Sequence, residues 1–250
     1  MAEQSVFETP SGRKIAYHFS PGQGPGVVFL GGFMSDMGGT KAVHLEAWCR
    51  AQGRAFLRFD YSGHGQSSGA FRDGSIGDWA DDAADVIAAV TSGPQVLVGS
   101  SMGGWIACLL AREGRIDVAG MVTIAGAPDF TEDGFWAGFS DDERARLATE
   151  GVVEVPSDYG APHPITKRLI EEGREVLVLR SPLRLPFPVR LLQGDQDEDV
   201  SVETCLKLFS HAEGSDIRMV LLKGADHRFS AEDALRLTED AIADVLEQLS

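Results

Sequence analysis

Residues 95–104 read Gln-Val-Leu-Val-Gly-Ser-Ser-Met-Gly-Gly. The apolar run ends at Gly99 and an apolar helical pattern begins near Met102, so the chain turns sharply from a buried strand into a helix. Residues 99–103 match the pattern Gly-x-Ser-x-Gly, in which the central serine is lifted clear of the sheet and side chains two residues away would collide. This context predicts that Ser101 is a nucleophile.

Ser100 is the neighbouring alternative, but its flanking residues are Val98 and Met102 rather than two glycines. The helix behind Ser101 points its amino end at the hydroxyl, where the helix dipole favours developing negative charge. A glycine-rich turn without chemistry is the competing interpretation, and the strand, turn and helix in succession favour the nucleophile.

Short apolar runs on both sides of this turn predict a parallel sheet. They are nearly continuous rather than alternating, as expected for strands buried on both faces. Helical patterns separate them, which predicts an α/β protein with helices on both faces of the sheet. Two early segments, 5–9 and 14–19, predict an antiparallel hairpin at one edge. The apolar runs are 27–30, 55–59, 95–98, 121–124, 189–192 and 217–222.

Residues 129–185 interrupt this alternation. They contain a charged helical segment at 141–150 and a segment rich in proline and glycine at 156–164, without a convincing buried strand. A loop of that length with no structure of its own would be unusual. We therefore expect a small helical cap inserted into a single domain whose core comprises residues 1–128 and 186–250.

A serine hydroxyl needs a neighbouring base, and after a turn of this kind the acid and then the histidine follow along the chain. Three histidines follow Ser101. His163 lies in the expected cap and His211 at a helix end, whereas His227 follows the last strand, at the carboxyl end where ligands bind in such sheets. We predict that His227 is the base, with a surface loop histidine as the alternative.

The acid is expected after the preceding strand, where residues 191–200 read Leu-Leu-Gln-Gly-Asp-Gln-Asp-Glu-Asp-Val. The spacing usual in folds with this turn is Gly, two residues, Asp, two residues, Val, and it selects Asp197, three residues after Gly194 and three before Val200, as the group that orients the imidazole. Asp226, beside the histidine, is expected to be solvated or to cap its loop. The competing acids in the same loop are Asp195, Glu198 and Asp199.

Acyl transfer places negative charge on a carbonyl oxygen, which backbone N–H groups must stabilise. One donor is expected from Met102, the residue after the nucleophile, and the other from the loop after the first parallel strand. That loop reads Leu-Gly-Gly-Phe-Met at residues 30–34, and by position Phe33 supplies the amide. A flexible glycine turn is the alternative.

Length and composition describe one globular domain that can bury a core, with 250 residues, 43% hydrophobic and 24% charged. The formal net charge of −16 argues against nucleic acid as a partner, because such binding depends on Lys and Arg. No run approaches the roughly 18–20 apolar residues of a membrane span. The first residues show no targeting pattern, and we expect a cytoplasmic protein.

The three cysteines are widely spaced and suggest neither a metal site nor a redox pair. Cys49 and Cys108 lie in apolar helical patterns, so buried and unreactive thiols are expected. No metal or organic cofactor is expected.

Residues 58–65, Arg-Phe-Asp-Tyr-Ser-Gly-His-Gly, resemble a strand-exit loop of the α/β-hydrolases. His64 in this loop is expected to be structural, with substrate contact as the alternative. Residues 35–42, 99–105 and 226–228 together resemble one subgroup, the abhydrolase-domain acyl-protein thioesterases, also described as mycophenolic acid acyl-glucuronide esterases. The resemblance extends from about residue 13 to residue 248.

This resemblance implies an α/β-hydrolase fold with a mostly parallel sheet of about eight strands, helices on both faces and a small cap. It implies hydrolysis of carboxylic esters or S-acyl-cysteine thioesters by Ser101, Asp197 and His227, through an acyl-serine intermediate. The substrate would be a small ester or thioester, or an S-acylated protein. Cap aromatics would either wall an apolar acyl pocket or simply pack the cap: Phe130, Phe135, Trp136 and Phe139.

Two alternatives stay open. The same fold supports carbon–carbon bond hydrolysis and peptidase action, and a fold of this kind can also persist in a ligand-binding protein without catalysis. A dehalogenase or an epoxide hydrolase is disfavoured because those relatives carry aspartate where this chain has Ser101.

Overall fold

The apolar runs of the sequence pair into one eight-stranded sheet in the computed structural model, which describes residues 4–157 and 162–249. Within these residues, no helix is both long enough and apolar enough to cross a membrane. The strands are β1 (Ser5–Glu8), β2 (Lys14–Ser20), β3 (Gln23–Leu30), β4 (Arg54–Phe59), β5 (Gln95–Ser100), β6 (Val118–Ile124), β7 (Val152–Val155), β8 (His163–Thr166), β9 (Leu183–Arg184), β10 (Val189–Gly194), β11 (Ala212–Glu213) and β12 (Ile217–Leu222). The helices are α1 (Thr40–Ala51), α2 (Ile76–Val90), α3 (Met102–Glu113), α4 (Asp141–Glu150), α5 (Lys167–Glu175), α6 (Val202–His211) and α7 (Glu232–Glu247).

The strand order in the large sheet is β1-β2-β4-β3-β5-β6-β10-β12. The strands from β4 to β12 in this order are parallel, while β2 runs antiparallel to both of its neighbours. The antiparallel hairpin expected at one edge is confirmed as β1 and β2. Because β5, β10 and β12 are parallel, the loops that follow them leave from the same edge of the sheet.

The sheet is buried on both faces, which explains the continuous apolar runs. Neighbouring residues of β3 face opposite sides, so Val28 belongs to one hydrophobic cluster and Val27 to the other. Helices α2 and α3 pack on the first side through Trp79 and Trp105, both fully buried, and helices α1 and α7 cover the second side. The central strands are therefore held rigidly between two helical layers.

Residues 129–185 contain more strand than the sequence predicts. A π-helical turn at Thr131–Trp136 and helices α4 and α5 account for the helical part, but β7 and β8 pair as an antiparallel hairpin, and the short β9 pairs with β11. The expected helices are present, and the additional strands were not predicted because each has only two to four residues and gives no apolar run. Residues 158–161 of the expected Pro/Gly-rich segment lie outside the described residues. The division into core and cap remains a prediction.

A buried carboxylate ties the two ends of this insertion together. Asp129 has a positive φ of 58° and a fully buried side chain. Its oxygens accept hydrogen bonds from the N–H groups of Val178 (2.8 Å) and Leu179 (3.0 Å) and from the guanidinium of Arg180 (2.7 Å). The start and the end of the insertion therefore meet at one side chain.

Replacing Asp129 by alanine is expected to lower the free energy of unfolding by about 2–4 kcal/mol, because two buried N–H groups and a guanidinium lose their acceptor. Asp133→Ala is the matched control, since Asp133 pairs with the same Arg180 at the surface, and it should cost about 1 kcal/mol or less. Urea unfolding of both variants checks this, and equal losses would contradict the anchoring role of Asp129.

Candidate active site

The turn after β5 holds Ser101 in a backbone conformation that few non-glycine residues adopt, with φ 53° and ψ −116°. The glycines on either side permit it. A Cβ on Gly99 would lie 2.4 Å from the carbonyl oxygen of Gly103, and a Cβ on Gly103 would lie 2.0 Å from the carbonyl oxygen of Leu30. Only glycine fits at both positions, so the close approach predicted from the motif is present.

Backbone hydrogen bonds to the neighbouring strand hold this turn. The N–H of Ser101 donates to the carbonyl of Ile124 (2.9 Å), and its own carbonyl accepts from the N–H groups of Gly104 (2.9 Å) and Ala127 (3.0 Å). Ser101 is half-buried, whereas Ser100 is buried inside the sheet. Of the two serines, only Ser101 combines exposure with the position at the head of α3.

His227 and Asp197 are hydrogen-bonded to each other. Nδ1 of His227 lies 2.9 and 3.1 Å from the two carboxylate oxygens of Asp197. The Asp197 side chain is fully buried and that of His227 is 17% exposed. Asp197 follows β10 and His227 follows β12, so both stand at the sheet edge where Ser101 follows β5. A proton on Nδ1 satisfies the carboxylate and leaves the Nε2 lone pair available.

Three other donors fix the orientation of the Asp197 carboxylate. Oδ1 accepts from the N–H groups of Asp199 (3.0 Å) and Val200 (2.8 Å), and Oδ2 accepts from the side-chain amide of Gln193 (2.9 Å). Gln193, a buried residue four positions before Asp197 near the end of β10, was not among the predicted site residues. Nothing in its local pattern distinguishes it from other strand residues.

The competing acids have different surroundings. The carboxylate of Asp195 accepts from the ammonium of Lys223 and the N–H of Gly224, and Glu198 is exposed. Asp226 is exposed, and its carboxylate accepts from the N–H of Phe229 (3.2 Å), which agrees with the expected loop-capping role.

The remaining candidate histidines are held elsewhere. Nε2 of His211 lies 2.8 Å from the carbonyl oxygen of Ser181, at the end of α6. The His163 ring, on β8, packs edge-on against the ring of Phe33 at 5.6 Å between centroids, and burial lowers its pKa. His64 accepts one hydrogen bond from the loop that contains Phe33, from the N–H of Met34.

That loop, residues 31–34, lies directly against the serine. A Cβ on Gly32 would stand 3.4 Å from Cβ of Ser101. The Gly32 carbonyl accepts from the N–H (3.2 Å) and the hydroxyl (2.8 Å) of Ser35, and the N–H of Met34 donates to Nε2 of His64 (3.3 Å). The Phe33 amide therefore lies between the Gly32 carbonyl and the Met34 N–H, which are both held by hydrogen bonds, in the loop beside Ser101.

The Phe33 side chain is the centre of an aromatic cluster. Phe71 and Trp79 of the core contact its ring at centroid distances of 4.9 and 6.0 Å, and Phe130 and Phe135 of the insertion contact it at 5.5 and 6.0 Å. Apolar rings from both parts of the molecule therefore meet at Phe33, in the loop next to Ser101.

The other two aromatic residues named as acyl contacts are engaged differently. The guanidinium groups of Arg144 and Arg174 lie over the Trp136 ring at 5.1 and 4.5 Å, and Phe139 is buried in the hydrophobic core. We therefore keep only Phe130 and Phe135 as proposed acyl contacts, because cation–π pairs and core packing occupy Trp136 and Phe139.

Lys41, at the start of α1, holds the histidine loop. Its ammonium donates to the carbonyl of Arg228, the residue after His227. Burial lowers the Lys41 pKa to about 8 and outweighs the attraction of the nearby Asp226 carboxylate. The motif that contains Lys41 entered the sequence analysis only through the family resemblance, and the bond across the chain gives this residue a structural role.

Among the described residues, five that are not glycine have positive φ: Met34, Ser101, Ala125, Asp129 and Phe229. Each of the five lies in the segment that follows a strand of the large sheet. Such conformations cost about 1–3 kcal/mol each and concentrate at functional sites. Their grouping here marks the carboxyl edge of the sheet as the candidate site.

The described side chains offer little support for a cysteine nucleophile or for a metal site. The three cysteines are free and buried, and burial raises the pKa of each thiol to about 12, which disfavours a thiolate nucleophile. One potential set of metal ligands, with atoms within 4.8 Å of one another, consists of Asp197, Asp199 and His227. In it, Nδ1 of His227 already pairs with Asp197.

The sheet order, the strand-turn-helix around Ser101 and the covering helices define an α/β-hydrolase. Comparisons with known proteins agree. A family model described as serine aminopeptidase S33, Hydrolase_4, matches residues 25–147. The bovine palmitoyl-protein thioesterase ABHD10, a mitochondrial protein by name, is 33% identical over 98% of this chain and 81% of its own length.

Two solved structures are similar over nearly the whole chain. A putative hydrolase from Agrobacterium vitis S4 has a TM-score of 0.94 and 38% identity, covering 98% of this chain and 99% of its own. The mouse alpha/beta hydrolase domain-containing protein 10 has a TM-score of 0.91 and 32% identity, covering all of both chains. The chain belongs to the ABHD10 family of α/β-hydrolases. Its class is that of ester and thioester hydrolases.

The comparisons correct one expectation. The predicted cytoplasmic location is wrong, because the bovine, rat and human relatives at 32–33% identity are named as mitochondrial proteins. The prediction rested on the absence of a targeting pattern near Met1.

Proposed function

We propose that this chain hydrolyses acyl thioesters and related carboxylic esters with Ser101 as nucleophile, His227 as base and Asp197 as the acid that orients it. One observation carries the proposal: the hydrogen-bonded pair of His227 and Asp197 stands at the same sheet edge as the strained turn at Ser101. Metal and organic cofactors have no part in it.

In the first half of the reaction, Nε2 of His227 removes the proton of the Ser101 hydroxyl as the oxygen attacks the substrate carbonyl. The carboxylate of Asp197 stabilises the imidazolium that forms. The backbone N–H groups of Phe33 and Met102 donate to the resulting oxyanion, and the amino end of α3 favours the negative charge. His227 then protonates the leaving thiol or alcohol, and the acyl group stays on Ser101.

In the second half, His227 activates a water molecule that attacks the acyl-serine. The same two amides stabilise the second oxyanion, the bond to Ser101 breaks and the free acid leaves. The serine regains its proton from His227, so the enzyme returns to its starting state.

The substrate class follows from the aromatic cluster and the relatives. Phe33, Phe130 and Phe135 form a partly buried apolar cluster, and Phe33 lies in the loop next to Ser101, which suits a hydrocarbon acyl chain. The relatives are named palmitoyl-protein thioesterases, and we propose S-acylated cysteine as the principal substrate. Acyl glucuronides carry the same type of carbonyl and are proposed as secondary substrates.

Ser101→Ala is expected to lower kcat by at least about 10³-fold, because no other hydroxyl can replace the nucleophile. The assays are hydrolysis of an S-palmitoyl-cysteine peptide and of a p-nitrophenyl ester, with intact-mass detection of a fluorophosphonate adduct. Ser100→Ala is the control and should keep both turnover and the single adduct. Full activity in Ser101→Ala, or an adduct on another residue, would overturn the assignment. A wild-type chain that gains no adduct would indicate a ligand-binding protein.

Asp197→Asn is expected to lower kcat by about 10²–10⁴-fold, because the amide no longer stabilises the imidazolium or selects its tautomer. Asp199→Asn should lose only a few-fold, since Asp199 contributes its backbone N–H to Asp197. Steady-state kinetics on the p-nitrophenyl ester compares the two variants. Losses of similar size would mean that Asp197 is not the orienting acid.

A further inference from the structure

We infer that His64 is a positioning residue for the oxyanion-binding loop, acting as a neutral imidazole that fixes the loop through the N–H of Met34. The inference rests on the proposed function, because it assigns the Phe33 amide to the oxyanion. The family resemblance left His64 with a structural role or substrate contact, and its hydrogen bonds give it a more specific task.

Both ring nitrogens of His64 have backbone partners. Nε2 lies 3.3 Å from the nitrogen of Met34, which can only donate, so Nε2 must be the acceptor. Nδ1 lies 3.2 Å from the carbonyl oxygen of Ser62, so the single ring proton is on Nδ1 and donates there. A second proton on the ring would face the Met34 N–H and break that bond.

The surroundings favour this neutral form. His64 is 4% exposed, and burial lowers its pKa, which outweighs the Ser62 carbonyl and the carboxylates of Asp60 and Asp82. Asp82 is in turn paired with Arg13 (2.6 Å). The hydroxyl-bearing ring of Tyr61 faces His64 at 5.6 Å and stays neutral, because burial raises its pKa.

Residues of the core helix α2 hold His64 in place, both through Ser62 and by direct ring contact. The Ser62 carbonyl that accepts from His64 also accepts from the indole N–H of Trp79 (3.0 Å), and the N–H of Ser62 donates to Asp82 (2.9 Å). The Trp79 ring also contacts the His64 ring at 5.0 Å. Hydrogen bonds thus connect Trp79 and Asp82 of α2, through Ser62 and His64, to the backbone N–H of Met34.

Met34 needs such support. It has a positive φ of 54°, and its side chain is 41% exposed, so its own packing contributes little to holding the loop. Ser35 bonds only back to Gly32 within the loop, and the next bond from the loop to the core is from the N–H of Met37 to Asp60 (2.6 Å). Losing the bond to His64 would remove the backbone hydrogen bond that follows the Phe33 amide, so that only the packing of the Phe33 ring and the bonds of Ser35 to Gly32 would still orient it. An oxyanion donor that is poorly oriented lowers the rate of chemistry without weakening substrate binding.

The test compares His64→Gln with His64→Met. The two side chains have the same length, and only glutamine offers a strong acceptor near the place of Nε2. Ser67→Ala is the control for general loosening, because Ser67 lies in the same loop and also makes two hydrogen bonds, to the N–H of Ala16 and the carbonyl of Asp60. Kinetics use the p-nitrophenyl ester, and inhibition uses an alkyl boronic acid that mimics the tetrahedral oxyanion.

His64→Met should lower kcat about 10–100-fold with KM within about twofold, and should weaken boronic acid inhibition by a similar factor. His64→Gln should stay within about threefold of wild-type kcat. Ser67→Ala should also stay within about threefold, even if it lowers the melting temperature as much as His64→Met does. Equal kcat for the two His64 variants, or an equal loss in Ser67→Ala, would overturn the inference while leaving the proposed function intact. A wild-type chain without turnover would instead remove the proposed function, and this inference with it.

A second measurement needs no variant. Nitrogen-15 NMR of the wild-type imidazole at neutral pH should show His64 protonated on Nδ1 and unprotonated on Nε2. A proton on Nε2, or a doubly protonated ring, would contradict the inference.

Discussion

The backbone of Ser101 bends into a conformation that its side chain disfavours, and the neighbouring elements are arranged to hold it there. Gly99 and Gly103 leave room for the close approach of strand and helix, while the carbonyl of Ile124 and the N–H of Ala127 bind the turn to β6. A single positive φ of this kind costs about 1–3 kcal/mol. The three backbone hydrogen bonds, each contributing about 1 kcal/mol, are sufficient to offset it.

The parallel sheet converts this local turn into a site. Three loops that are distant in sequence leave the same edge, and each is fixed by contacts of its own. Asp197 is held by Gln193 and two backbone N–H groups, the His227 loop is held by Lys41, and the glycine loop is held by Ser35 and His64. A preorganised arrangement of this type lowers the energy needed to orient groups during reaction.

Much of this architecture could be predicted from the sequence. The buried strands are continuous apolar runs, and the glycines around Ser101 have one geometric explanation, so the strands of the core and the position of the turn follow from local patterns. Among four neighbouring acids, motif spacing selected Asp197, and that carboxylate does lie against His227. Its catalytic role remains a proposal.

The features that were missed depend on contacts across the fold. The hairpin of β7 and β8 has strands of four residues, one of which contains Pro164, and such short strands give no periodicity. The bond from Lys41 to Arg228 spans most of the chain, and Gln193 looks like any strand residue until Asp197 is placed beside it. Trp136 was grouped with its aromatic neighbours because sequence does not show which face of a helical turn meets arginines.

The central claim is that Ser101 reacts from this strained turn with its oxyanion directed at the neighbouring loop. A crystal structure of the chain after reaction with a fluorophosphonate tests it most directly. We predict phosphorus on Oγ of Ser101, a phosphoryl oxygen accepting from the N–H groups of Phe33 and Met102, Nε2 of His227 within hydrogen-bond distance of Oγ, and a positive φ at Ser101. A phosphoryl oxygen turned away from both amides, or a His227 ring out of reach of Oγ, would contradict it.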